Sequence, residues 1–282
     1  MLGIIFEGGA SRTVYSCGVM DALLEEGIMA DIGYGVSAGA AFGVSYFSKQ
    51  FGRNHTLATQ IMNRSEYMGP KNLINPRNRC YYGLKYAYET VPNELLPFDY
   101  KAYKSNPGKF YAVVTNVETG KAEYMRETGD DTEWTLLRAT CALPLLFPMI
   151  EINGKKYMDG GLADSIPYKQ TIKDGCDKNI VVLTRPLGYV KQTDTVTKLT
   201  AKCYRRYPQL CKAMLTRAQR YNQTLSEVMQ LKKQGKLFVF TPHSTFGVGR
   251  IENDPKKLDR LYQHGYKHAK WAMNELKEYL NR

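Results

Sequence analysis

Three stretches of this chain have residue types and spacings that could do chemistry. In Gly35-Val36-Ser37-Ala38-Gly39 a serine is flanked by glycines two positions away on either side. Such a pentapeptide reads as a sharp strand-to-helix turn with the serine at its apex, its backbone strained so that the hydroxyl projects into a cleft. The glycines are needed where a Cβ would collide across the turn. The N-terminus of the following helix also favours the oxyanions of acyl transfer.

A second stretch, Glu7-Gly8-Gly9-Ala10-Ser11-Arg12, follows the apolar run Leu2 to Phe6. Strand, glycine-rich turn and helix together make a nest of backbone N–H groups that converge on an anion. No Gly-Lys-Ser/Thr follows and no full GxGxxG is present, which disfavours phosphate-loop and dinucleotide readings. An oxyanion hole serving Ser37 is the reading the nearby serine turn favours. The third stretch is Asp159-Gly160-Gly161-Leu162-Ala163-Asp164-Ser165-Ile166-Pro167. An aspartate at a strand end before two glycines suits a general base; alternatively it closes an Asx-turn on the glycine N–H groups.

These groups need scaffolding. Leu2–Phe6 and Ile32–Tyr34 fit buried parallel strands, with helices predicted from about Thr13 to Gly27 and from Ala40 to Phe47. Phe110–Val117 and Ala122–Arg126 read as a hairpin, and Asp131 or Thr132 as the cap of a helix running to Thr140. Ile150–Met158, turning at Asn153-Gly154, reads as a second hairpin of type I′ that delivers Asp159. The segment from Phe51 to Lys109 is proline-rich, with tyrosines at 81, 82, 86, 88, 100 and 103. It is either a cap whose rings line an acyl pocket or a packed connection. Later strands are expected at Asn179–Thr184 and Lys236–Thr241. A helix from Pro208 places Cys211, Met214, Leu215, Ala218, Tyr221, Leu225 and Val228 on one stripe, and a last helix runs from Asp254-Pro255 to about Leu280.

At 282 residues, 43% of them apolar, the chain is long enough to bury a substantial core. The six cysteines show no metal-ligand spacing and read as free thiols in a reducing compartment. Without a signal-like N-terminus or a run of about 18 apolar residues, the expectation is a soluble cytoplasmic protein. Net charge is +12, all of the excess lying in residues 185–282, which carry 20 basic and 7 acidic residues. Such a face could hold the protein peripherally on an anionic membrane or simply be solvated; nucleic acid is not expected as a partner.

Taken together, the three stretches and Arg138-Ala-Thr-Cys-Ala-Leu-Pro-Leu-Leu-Phe-Pro148 resemble, in order and spacing, the patatin-like phospholipase family over roughly residues 2 to 185. The resemblance implies an α/β fold, three layers with a mainly parallel central sheet. Residues 1–184 would form the catalytic core and 185–282 a basic helical and strand segment completing the same domain. It implies a serine acyl hydrolase of phospholipase A or lipid esterase type acting on a lipid or other acyl ester without cofactor or metal. Ser37 matches the nucleophile, Asp159 the general base, and Gly8, Gly9 and Ala10 the oxyanion loop. Arg12 matches the loop's basic residue, with a positioning or electrostatic role. The family loop usually carries a third glycine where this chain has Ala10, and a last glycine where it has Thr13. A left-handed Ala10 would cost about 1 kcal/mol or more. Two other readings remain: a silent acyl-binding protein on the same scaffold, and a Ser37–Asp159–His243 triad in α/β-hydrolase order. Against the triad, Ser37 comes only one strand and one helix after the first strand. His55, His264 and His268 are expected at the surface.

Overall fold

The strands that read as buried from the sequence pair into one mixed sheet. A computed structural model describes residues 1–76, 78 and 80–282. Its strands are β1 (Leu2–Phe6), β2 (Ile32–Val36), β3 (Lys109–Asn116), β4 (Ala122–Glu127), β5 (Ile150–Ile152), β6 (Lys155–Asp159), β7 (Lys178–Val182) and β8 (Phe238–Phe240). They run in the order β5-β6-β3-β2-β1-β7-β8, with β4 also paired to β3. From β3 through β2, β1 and β7 to β8 the neighbours are parallel, while the β4 and β5-β6 hairpins add antiparallel strands.

Alternation along the strands sends side chains to both faces, as a sheet covered on two sides requires. Ile4, Phe6, Ile180 and Val182 join a core with α1 (Val14–Glu25), α2 (Ala38–Phe47) and the helix Pro255–Trp271. Ile5, Val181, Leu183 and Val239 face the other way, against Tyr221 and Val228 of the helix Pro208–Lys233. The last third of the chain therefore supplies cover to both faces, and through β8 it extends the sheet.

Two glycines seat α1 against the helix Pro255–Trp271. A Cβ on Gly18 would come within 2.1 Å of the Tyr262 carbonyl oxygen, and one on Gly265 within 1.9 Å of the Tyr15 carbonyl oxygen. Around this contact the Tyr262 hydroxyl donates to buried Asp21 at 2.6 Å.

Local chemistry sets most element ends. Gly27 (φ +68°) follows α1, and Asn153 and Gly154 (φ +50° and +73°) form the β5–β6 turn, both positive as type I′ demands. The helix expected from Asp131 or Thr132 starts only at Thr135, because Trp134 takes a left-handed conformation; Asp131 still caps it, accepting from the Thr135 N–H at 2.7 Å. The last helix breaks at Ala272 into Pro255–Trp271 and Met273–Asn281. Leu215, expected on the buried stripe, is exposed.

Candidate active site

Ser37 sits between β2 and α2 at φ +54°, ψ −128°, a conformation that a non-glycine residue adopts at a cost of about 1–3 kcal/mol. Its surroundings impose it. A Cβ on Gly35 would lie 2.5 Å from the Ala40 Cα, and one on Gly39 would lie 2.3 Å from the Phe6 carbonyl oxygen of β1. The Ser37 N–H donates to the buried Thr140 hydroxyl at 2.9 Å, and that hydroxyl donates to the Val113 carbonyl of β3 at 2.5 Å. Thr140 thus pins the turn to the neighbouring strand.

Gly8 packs against the same turn: a Cβ there would meet the Val36 carbonyl oxygen at 2.6 Å and the Ser37 Cβ at 2.9 Å. Among the described residues the N–H groups of Gly8, Gly9 and Ala10 find no hydrogen-bond acceptor. Ala10 is left-handed at φ +49°, the costly case for that departure from the usual loop. Glu7, which leads into the loop, is buried and saturated: it accepts from the Thr184 N–H at 2.6 Å, the Thr184 hydroxyl at 3.0 Å and the Tyr221 hydroxyl at 2.7 Å.

Asp159 ends β6 with 1% of its surface exposed. One carboxylate oxygen accepts from the Gly161 N–H at 2.8 Å, so the Asx-turn is present. The other oxygen is buried without a hydrogen-bond partner. Burial raises the carboxyl above its ordinary range, opposed by the Arg217 charge, the nearby Ser37 hydroxyl and the Gly161 N–H. The Ser37 Oγ makes no hydrogen bond of standard geometry to Asp159, so the two groups are neighbours in one cleft rather than a bonded pair.

That cleft, about 50 Å³, brings together Gly8, Gly9, Ala10, Ser37 and Asp159, the residues singled out in the sequence, with Arg12. A second cleft of about 70 Å³ shares Ala10, Ser37 and Leu143 with it and is lined by apolar groups such as Ala41, Met62, Tyr88 and Phe147. Tyr82 also lines it, whereas Tyr81, Tyr86, Tyr100 and Tyr103 do not. The tyrosine-rich segment is therefore partly a wall of this pocket and partly packing.

His243 lines neither cleft. Its ring is exposed and packs on Phe246 and His264, so the three residues of the triad are not assembled. The other histidines are not simple surface groups. His268 Nδ1 lies 2.6 Å from the Tyr15 hydroxyl, His55 Nε2 pairs with Asp259 at 2.7 Å, and burial lowers the His264 pKa to about 4.

Residues that carried no motif in the sequence complete the site. Arg185, Lys191, Arg217 and Arg250 line the polar cleft, all from the basic final third. Their only sequence signal was the regional charge excess. Among the described residues no group of three or more His, Cys, Asp or Glu side chains could hold a metal ion, and no helix is long and apolar enough to cross a membrane.

Two family models match separate segments of the chain. A family model described as patatin-like phospholipase matches residues 4–172, and a domain of unknown function matches residues 207–281. The chain is 25% identical over 190 residues to the uncharacterized protein YjjU of Escherichia coli, covering 66% of this chain and 52% of that one. It is 24% identical over 298 residues to the lysophospholipase nte1 of Aspergillus niger, covering 98% of this chain and 18% of that one. The chain thus spans about half, or much less, of the length of these relatives. Among solved structures, VipD from Legionella pneumophila aligns over 97% of this chain and 66% of that one, with a TM-score of 0.48 at 13% identity.

Proposed function

Because the chain belongs to the patatin-like phospholipase family, we propose that it is a serine acyl hydrolase of phospholipase A or lipid esterase type. The observation that carries this reading is the place of Ser37, common to a polar cleft holding Asp159 and an apolar cleft able to take an acyl chain.

Ser37 attacks the ester carbonyl while Asp159 accepts its proton. The unengaged N–H groups of Gly8, Gly9 and Ala10 stabilise the oxyanion, and the alcohol departs with the proton held by Asp159. Water, deprotonated by the same carboxylate, then attacks the acyl-serine, releasing the carboxylic acid and restoring the hydroxyl. A solvated aspartate, with a pKa of about 3.9, is a weak base. The burial of Asp159 supports the role because it strengthens that base.

The test is hydrolysis of p-nitrophenyl esters of increasing chain length, together with fluorophosphonate labelling. Ser37→Ala should abolish both, Asp159→Asn should abolish turnover, and His243→Ala should leave both intact. Loss of activity in His243→Ala would sink the reading in which Ser37 and Asp159 act as a catalytic dyad without histidine. Absence of labelling in the wild type would favour a silent acyl-binding protein, with left-handed Ala10 the first suspect.

A further inference from the structure

Five cations, Arg12, Arg185, Lys191, Arg217 and Arg250, line the polar cleft beside Ser37, against two carboxylates, Glu7 and Asp159. Among the described residues none of the five makes an ion pair, and none donates a side-chain hydrogen bond. Arg12 is 8% exposed, and the Nε atoms of both Arg12 and Arg217 are buried without partners. A buried, unpaired guanidinium is costly unless something else supplies the acceptor. The cations also disfavour one another. Lys191, depressed to about 7, is lowered first by burial and then by Arg217, Arg185 and Arg250, and Arg12, lowered to about 10, by burial and then by Arg185 and Arg250.

The two carboxylates offset this charge only in part: Glu7 favours the charged forms of Lys191 and Arg12, and Asp159 that of Arg217, but two anions against five cations leave a surplus of three. Nor, among the described residues lining this cleft, is there a vacant aromatic seat for a quaternary ammonium. The aromatic faces at this end already carry cations, Arg185 lying 4.2 Å from the Tyr189 ring centre and Lys191 4.6 Å from that of Tyr221. With five cations against two carboxylates, the surplus of positive charge around this polar cleft suits a compact tetrahedral anion. Guanidinium forks match the oxygens of such an anion.

We propose that this cleft binds a phosphate monoester carried by the substrate itself, so that the preferred acyl ester is a single-chain lipid with an unsubstituted phosphate headgroup. The acyl chain would occupy the apolar cleft, the ester would lie at Ser37, and the phosphate would sit among Arg12, Arg185, Lys191, Arg217 and Arg250. This assignment rests on the acyl-hydrolase reading for its catalytic half but not for its binding half, and the two can be tested apart.

Binding is measured by calorimetry on Ser37→Ala protein with sn-glycerol 3-phosphate, inorganic phosphate and glycerol at low salt. Saturable binding of glycerol 3-phosphate is expected, weakened by about tenfold or more in Lys191→Met and in Arg217→Met, and unchanged in Lys198→Met on an exposed helix face. Hydrolysis is measured on 1-acylglycerol 3-phosphate, 1-acylglycerol and 1-acylglycerophosphocholine of one chain length. The phosphate monoester should have a kcat/KM about tenfold or more above the other two, through KM, with the preference lost in Lys191→Met. Equal kcat/KM for all three esters overturns the proposal, as does binding that neither variant weakens. Inorganic phosphate binding as tightly as glycerol 3-phosphate, without ester preference, also overturns it by making the site one for the free ion. Intact, variant-sensitive binding without hydrolysis of any ester supports the phosphate site and counts against the hydrolase reading instead.

Discussion

Thr140 offers a quantitative test of how the serine turn is held. Its hydroxyl accepts the Ser37 N–H and donates to the Val113 carbonyl, and the residue is fully buried. Thr140→Val preserves the shape and removes both bonds, stranding one donor and one acceptor without water. Each stranded group costs about 1–3 kcal/mol, so the pair amounts to about 2–6 kcal/mol, a large share of the roughly 5–15 kcal/mol by which a domain is stable. The turn itself stores about 1–3 kcal/mol at Ser37, so loss of its anchor should let it relax. Thermal unfolding should fall by about 6 °C for a loss of about 3 kcal/mol in a chain of this size, and fluorophosphonate labelling of Ser37 should slow. Thr140→Ser keeps both bonds and should recover most of the labelling rate, losing only the buried methyl. If Thr140→Val unfolds within about 1 °C of wild type, well inside that expected shift, and labels at the same rate, the anchor argument is wrong.

Two further expectations concern buried carboxylates. The folded-state pKa of Asp159 is raised, so its contribution to stability is fully present below the unfolded pKa and is lost as pH rises through the folded value. At pH 8 Asp159→Asn should therefore be at least as stable as wild type in urea unfolding while lacking turnover; a clear destabilisation would mean that Arg217 compensates more than burial costs. Glu127, at the end of β4, is buried and pushed up to about 7 from 4.5. By the same sign, Glu127 alone should lower stability by about 3 kcal/mol as pH climbs from about 4.5 past about 7. Glu127→Gln should flatten that slope, and parallel pH curves for the two proteins would refute it.

Features with a local cause were legible in the chain. The serine turn, the β5–β6 turn that presents Asp159 and the glycine after α1 each follow from a few adjacent residues whose backbone preferences agree. The central sheet was legible for a similar reason: short apolar runs bounded by turn residues. What escaped depends on contacts between distant segments. Trp134 gives up a helical conformation where its ring is buried against Phe98 and Tyr100, which delays the helix start. Thr140 looked like one residue of a motif, and its task depends on where β3 passes. The basic final third read as a solvated or membrane-facing surface. Charge counting cannot show that Arg185, Lys191, Arg217 and Arg250 converge on one cleft with Ser37, from which more than half the chain separates them.

The crossing of Gly18 and Gly265 bears on how this chain could be recombined. One glycine belongs to the segment matched by the phospholipase family and the other to the segment matched by the domain of unknown function, and each backbone occupies the space where the other's Cβ would be. The two segments are therefore not interchangeable modules. A chimera that joins either half to a foreign counterpart must bring a glycine to the crossing, or the final helices lose their seat and the sheet its cover.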